Sequence, residues 1–512
     1  MLLLLLALQC PDGSPPPCAG VRAPAPISVA ILPFESRSSD SMDLYLAEAL
    51  PEQITARLAR ISRLRVRSAA SVSAQWRRTP DPSAAARAMR VDWYVTGSVR
   101  RAGRQLSVSA ELVRAATGDG VWGAPFRRTD NDLAAIEEQL AESIAVVVVD
   151  RLAPAQLAAV RTSRPRDVES YRLHLVAGTL LNRRTSADIG RAVTLLNQAV
   201  SREPRFAAAW ARLAYARVMQ IQWGSAELLS RDSLAALGRS AADRALRLDS
   251  SQADAWLAIA SVNLASARLG IDLWAAHQAL QRSIRSDSLN VEAWHMLSYL
   301  FGAVRLQLPW LSERYARRAI ELNPDFRNAW RMLAYALLAQ GRAEDAEASL
   351  DSALARGEWA VAHHLRADAR FVRGNIAGAL ADLDATEAAA DMPAGMAAEI
   401  PLTRRLMRSA VDSSEARSLA EWLRAERGQG QPRHVVEANL AMVLGRTSEA
   451  VAILEQLKAT PDPAPQSCGP VRCSSDLRIW LALHSPFFVR SHGEPAIAAL
   501  LEETRPRVPW AN

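Results

Sequence analysis

The sequence predicts an α/β domain followed by an all-α array of helical repeats. Three observations carry this. Trp210, Trp256, Trp294 and Trp330 each open the same local pattern, a small or apolar residue three and four places on and then an Ala-rich amphipathic stretch. Residues 27 to 153 follow a different grammar, short β-rich runs alternating with helical periodicity. At 49% hydrophobic and 22% charged residues, the 512-residue chain has the composition of a folded protein with core enough for two to four domains.

The chain opens on an apolar run, Met1 to Leu8, followed by Gln9, Cys10 and a proline-rich stretch from Pro11 to Pro26. The run has the character of a secretory h-region without its basic n-region. It falls far short of the roughly 18 residues of a membrane span. A truncated signal peptide, the tail of a span and a misassigned start are three readings of it, and all three place the rest of the chain outside the cytoplasm; a hydrophobic tail on a cytoplasmic protein is the fourth. Cys10 after Leu-Ala-Leu-Gln has the look of a lipoprotein site, although Gln9 stands where a small residue is expected. The expected location is therefore the periplasm or cell envelope, with membrane anchoring through the N-terminus as an option.

From residue 27 the predicted order is βαβαβββα. Ile27 to Phe34 is a strand stopped by proline, Asp43 to Arg60 a helix by periodicity, Leu64 to Ser68 a second strand and Ser83 to Met89 a short helix. Trp93 to Arg100, Gln105 to Val113 and Gly120 to Phe126 are strands separated by Arg101-Ala102-Gly103-Arg104 and Ala116-Thr117-Gly118-Asp119, both with the glycine of hairpin turns. Asp132 to Leu152 closes the domain as a helix.

The repeats occupy residues 166 to 460, with a helical C-terminal cap expected over 461 to 512. In the clearest copy Trp330, Leu333, Ala334 and Leu337 lie on one face of a first helix, Gly341-Arg342 breaks it, and Ala346, Leu350 and Ala353 share a face of the second. The tryptophans stand 46, 38 and 36 residues apart, and turns are expected to absorb the differences. Tyr171, Leu175 and Gly178 mark the first helix of the array. Weaker copies run through His364, Phe371 and Gly374 and through Leu440 and Gly445, while the pattern lapses between Asp391 and Gln431.

These residues resemble the tetratricopeptide repeat family, whose units of roughly 34 residues run Trp-x-x-Leu-Gly/Ala, then Ala, an aromatic or Leu, Ala and a closing Pro. Ala319 to Pro324, within Ala-Ile-Glu-Leu-Asn-Pro, is a close match to the closing phrase. Residues 27 to 153 resemble the TolB-type domain that precedes such arrays in bacterial envelope and signalling proteins, through Val29-Ala30-Ile31-Leu32-Pro33-Phe34, Gly97-Ser98-Val99-Arg100-Arg101-Ala102-Gly103 and Ala116-Thr117-Gly118 with Trp122. The resemblance implies that the pair often follows a membrane span and an intracellular effector, a protein kinase or a winged-helix DNA-binding domain.

Catalysis is not expected. Residues 19 to 170 contain no His, Cys or Lys, which removes the usual general bases and most nucleophiles from the one domain with an enzyme-like fold. Asp92 and Asp119 sit at a strand end and a turn, where Asp commonly serves local hydrogen bonds. The sole lysine, Lys458, lies late in the repeats, so no phosphate-binding loop or kinase lysine is available. His363 and His364 are adjacent, point about 100° apart and cannot share a metal as an i, i+4 pair would. No cofactor is expected.

Binding is what the architecture offers, since stacked helix pairs form a long concave face suited to an extended peptide or partner helix. The groove residues predicted are Arg212, Arg217, Asn263, His295 and Arg331, polar positions interleaved with packing ones, and arginine favours an acidic segment or a C-terminal carboxylate. Solvated surface is the plain alternative for them, and packing between helices is the alternative to a ligand cage for the tryptophans. The net charge of +7 is spread among acidic residues, so no basic stripe marks a nucleic-acid partner. Cys468 and Cys473 flank Gly-Pro-Val-Arg and could close a disulfide in an oxidising compartment, with two thiols as the alternative and no second pair to make a zinc site. The function expected is a non-enzymatic scaffold or extracytoplasmic sensor module, the alternative being the C-terminal sensor half of a kinase or transcriptional regulator.

Overall fold

The computed structural model describes residues 26–37, 41–61, 63–102, 105–129, 133–149, 167–223, 230–265, 272–302, 308–357, 359–390, 392, 394–429, 433–459, 479 and 482–504. The apolar N-terminus and all four cysteines, with the expected Cys468–Cys473 bridge, lie outside them. Among the described residues no helix is long and apolar enough to cross a membrane.

Six strands form one sheet: β1 (Ile27–Ile31), β2 (Glu35–Ser36), β3 (Leu64–Val66), β4 (Trp93–Ala102), β5 (Gln105–Arg114) and β6 (Gly120–Thr129). Their order is β3-β1-β4-β5-β6; β1 runs parallel to β3 and β4, β2 pairs parallel with β4, and β4 to β6 are antiparallel. Alternate residues of β1 enter different cores, as a pleat requires. Val29 and Ile31 face α1 (Ser41–Leu58) and α4 (Leu133–Val149), while Ala30 and Leu32 face α2 (Ala69–Arg78) and α3 (Pro82–Met89). Gly97 is needed where β4 passes Phe34, because a Cβ there would stand 2.6 Å from the Ser109 carbonyl oxygen and 2.9 Å from the Phe34 ring. Asp92 accepts from the backbone N–H and hydroxyl of Ser28 at 2.8 and 2.7 Å, a link to the neighbouring strand 64 residues away instead of the local hydrogen bond expected of it.

Several elements depart from the expected βαβαβββα: β1 ends at Ile31 and a separate short strand β2 follows, α2 is additional, and β3 is shorter. The helix α2 was not foreseen, because its apolar face is short: in Ala-Ala-Ser-Val-Ser-Ala-Gln-Trp-Arg-Arg only Val72, Ala74 and Trp76 pack inward. Strand β3 stops two residues early, since Ser68 leaves the sheet to cap α2 by accepting from the Ser71 N–H.

Eight antiparallel helix pairs follow among the described residues. They are α5 (Val168–Arg183) with α6 (Ser186–Arg202), α7 (Ala207–Trp223) with α8 (Arg231–Leu248), α9 (Ala253–Ala265) with α10 (Leu273–Ser286), and α11 (Val291–Phe301) with α12 (Pro309–Leu322). Then come α13 (Arg327–Ala339) with α14 (Ala343–Leu354), α15 (Ala360–Val372) with α16 (Ile376–Ala388), α17 (Ala394–Ser409) with α18 (Ser413–Gly428), and α19 (His434–Val443) with α20 (Thr447–Lys458). The repeats are tetratricopeptide-like. The stretch where the sequence pattern lapses holds one complete pair, α17 and α18. The 46-residue spacing is not a matter of turns alone: α7 and α8 have 17 and 18 residues where α13 and α14 have 13 and 12.

The four tryptophans share one bond. The indole N–H of Trp210, Trp256, Trp294 and Trp330 donates to the carbonyl six residues earlier, at Pro204, Ser250, Ser288 and Pro324, over 2.8 to 3.1 Å. Arg282 and Arg318 of the second helices and Arg356, just beyond the end of one, stand over Trp256, Trp294 and Trp330 at 4.6, 5.9 and 4.9 Å from the ring centroids. The rings thus latch each first helix to the turn before it and are packing elements. Trp330→Phe keeps the ring and removes the donor, so the expected loss is about 1 kcal/mol, read from urea denaturation, while Trp330→Ala should cost about 3–5 kcal/mol.

The α/β domain and the array share a continuous core that runs from Val29 to Leu308. Helix α1 lies on α5, and three buried polar groups join there: Glu137 of α4 accepts from the Tyr171 hydroxyl at 2.5 Å and from Arg57 at 3.3 Å. Burial pushes the Glu137 carboxyl up, and Arg57 opposes it. Farther along, Ser68 donates to the Leu322 carbonyl and Arg77 pairs with Asp325.

The C-terminal segment is only partly the helical cap expected. Helix α21 (Pro495–Thr504) closes on α20, where Lys458 pairs with Glu503. The irregular stretch before it runs back along the array. Phe487 meets Phe371 at 5.1 Å between ring centroids, Val489 joins the core of α13 and α14, and Arg490 donates to the Val372 carbonyl.

Candidate partner-binding groove

The first helices of successive pairs contact one another, α11 with α13 and α13 with α15, and their polar positions decide what the groove can hold. Of the five predicted residues, three have partners within the array. Arg212 forms an ion pair with Asp254 at 3.7 Å and fills the space above Gly178. Arg217 donates to Gln220 at 3.0 Å, and burial lowers its pKa. Asn263 accepts from Arg239 at 3.4 Å, and its carbonyl receives the Asp272 N–H. Arg212 and Asn263 are engaged between neighbouring repeats, and Arg217 within its own helix.

His295 and Arg331 differ. His295 is 7% exposed, with neither ring nitrogen hydrogen-bonded; Nδ1 stands 3.8 Å from Glu292, and Phe326 packs edge-on at 5.1 Å. Burial pushes its pKa down to about 4, with Glu292 opposing, so the ring is neutral at pH 7. Arg331 is half-buried on the next first helix, within electrostatic reach of His295, and its Nε is buried without a partner. Glu292 itself is occupied: it pairs with Arg184, whose guanidinium stacks 4.7 Å from the Phe326 ring and closes that end of the groove.

Two neighbours were missed by sequence reasoning. Tyr335 stands five residues after Trp330, the register also held by Tyr215 after Trp210 and Tyr299 after Trp294, and that recurrence was the available signal. Its phenol is pushed up by burial, with Arg331 opposing and Asp368 adding to the rise. Asp368 occupies the matching place on α15, as far beyond Tyr335 as Gly374 is beyond Gly341. It keeps part of its surface accessible, yet the helices around it desolvate the carboxyl and push its pKa up to about 6, with His364 opposing. His363 points elsewhere, its Nδ1 lying 3.4 Å from the buried Asp382.

The Asp368 shift has a sign that can be tested. The folded protein keeps that proton up to about pH 6, whereas an unfolded Asp releases it near pH 3.9, so this group's contribution to stability falls as pH rises through that window and is lowest above it. Asp368→Asn is expected to be more stable than the parent by about 2 kcal/mol at pH 7.5, with the gap narrowing toward pH 4. Urea midpoints at the two pH values check this.

Residues 25–143 match the family model described as HilA/YgeH-like transcriptional regulator, second domain, which covers under a quarter of the chain and is not the TolB-type family expected. A curated relative, "Putative adenylate cyclase 3" of Rhizobium meliloti (strain 1021), is 27% identical over 214 residues, covering 41% of this chain and 36% of that protein. The chain thus spans about a third of that relative's length. Among solved structures, "YrrB: a TPR protein with an unusual peptide-binding site" is similar at 22% identity over 37% of this chain and 90% of its own, with a TM-score of 0.28. PilW, a "widely conserved type IV pilus biogenesis factor", is similar at 15% identity over 49% and 93%, with a TM-score of 0.30.

Proposed function

We propose that this chain is a non-enzymatic protein-interaction module that holds a peptide or protein partner in the groove of its repeats, as a scaffold or as the sensor part of an extracytoplasmic protein. The observation that carries the reading is the contrast in pairing. Arginines between the helices of a pair are matched with carboxylates, as Arg366 and Arg370 are with Asp382, whereas in the groove the Nε of Arg331 and both ring nitrogens of His295 are buried without a hydrogen bond. Location in the periplasm or cell envelope belongs to this reading and rests on the apolar N-terminus; the TolB-type character of the first domain rests on its three sequence phrases.

The test is partner capture by cross-linking from intact cells. Arg331→Glu should abolish capture, and Arg212→Glu, which breaks an internal ion pair, should weaken it only in proportion to lost stability. Undiminished capture by a folded Arg331→Glu protein would remove the groove from consideration. Cell fractionation tests the location.

A second reading has its own support. Likeness to part of a putative adenylate cyclase and to a domain of a transcriptional regulator favours this pair of domains as the sensor half of a signalling protein. Translating the genomic sequence upstream of Met1 in frame decides it: a span with an effector domain supports this reading, and an immediate stop removes it.

A further inference from the structure

On the reading that the groove binds an extended segment, we propose that it selects one bearing two opposite charges three residues apart, the acidic side chain set against Arg331 and the basic one against Asp368.

Among the described residues, neither group makes a hydrogen bond or an ion pair. Their neighbours on the same helices do. On α15, Arg366 and Arg370 grip Asp382 at 2.7 and 2.9 Å, and Arg373, just beyond its end, holds Glu347. Those charges point into helix interfaces. Arg331 and Asp368 share the other face, and Tyr335 stands within electrostatic reach of both. Each is partly desolvated and lacks an ion pair, with only His364 acting electrostatically on Asp368, an unfavourable arrangement that a complementary ligand relieves.

The flanks sharpen the polarity. On the side of α11, Arg184 is neutralised by Glu292, and His295 is uncharged at pH 7. On the side of α17, the exposed Glu399 adds negative charge. The groove therefore runs from positive at α13 to negative at α15 and α17. Packed helices lie roughly 8–10 Å apart, and an extended chain advances about 3.3 Å per residue, so adjacent first helices are spanned by about three residues. Either chain direction satisfies this, and the preferred order of the two charges reports which one is used.

The experiment uses the full chain and displayed libraries of nonapeptides, random except at two positions three apart. These are fixed as acid and base, acid and acid, or base and base; a fourth library holds acid and base two apart. The opposite pair at the longer spacing should be enriched at least tenfold over the like-charged pairs and over the shorter spacing. Arg331→Glu should shift enrichment to the base–base library and Asp368→Lys to the acid–acid library, with circular dichroism confirming folding; Arg331→Gln and Asp368→Asn, which only neutralise, should flatten the preference. Peptide binding without charge preference, or preference unmoved by these variants, overturns the proposal and leaves the groove reading standing. Failure of every library to bind removes both.

Discussion

Glu137→Ala should lower stability by about 3–5 kcal/mol, the largest effect expected of any single substitution between the two domains. The carboxylate is fully buried and receives Arg57 and the Tyr171 hydroxyl at one oxygen. Its removal takes a carboxylate partner from a buried guanidinium and the acceptor from a buried phenol. Glu137→Gln retains an acceptor for Tyr171 and should cost about half as much. Replacing both ions, with Arg57→Met and Glu137→Leu together, should come close to neutral, because the desolvation cost of the pair disappears along with its attraction. Urea denaturation gives the magnitudes, and hydrogen exchange should show early loss of protection in α1, α4 and α5. An alanine variant as stable as the parent would mean that the buried Glu137 cluster contributes nothing to joining the domains.

Asp382→Ala should cost about 3 kcal/mol and act locally. The carboxylate is 2% exposed and gathers Arg366, Arg370 and His363. Arg366 and Arg370 have second partners in Asp351 and Glu347, which cushions the loss. Because each repeat contacts mainly its neighbours, exchange should accelerate in α14 to α17 and remain unchanged in α1 to α4. Uniform acceleration along the chain would show that the array unfolds as one unit.

How much of this was legible in the sequence depends on what each residue answers to. The three hairpin strands could be read because period-two alternation and glycine turns are local signals, and the repeats because the tryptophan answers to a turn only six residues away. Helix α2 could not, since its reason to exist is a serine cap and contact with a strand distant in sequence. The α17–α18 pair was hidden because Pro401 lies inside its first helix and no tryptophan opens it; Trp422 sits on the second helix instead, flanked by Arg405 and Arg433. For the groove, composition and position picked out His295 and Arg331. They also picked out Arg212 and Asn263, whose partners Asp254 and Arg239 come from neighbouring repeats, and no local pattern distinguishes an arginine that has such a partner from one that lacks it. Tyr335 and Asp368 were recoverable by aligning repeats in register.

The shared core at α1 and α5 bears on how large an assembly this chain can build. A stack of identical helix pairs has two open apolar ends, and each is a template on which another stack can add. Here the first end is covered by an α/β fold that no repeat can imitate, held by the core that reaches from Val29 into the early repeats, and at the other α21 lies against α20, with Phe488 and Ile497 buried in their common core. Among the described residues, the outermost helix pair at each end of the stack is thus packed against a part of the same chain that is not a repeat.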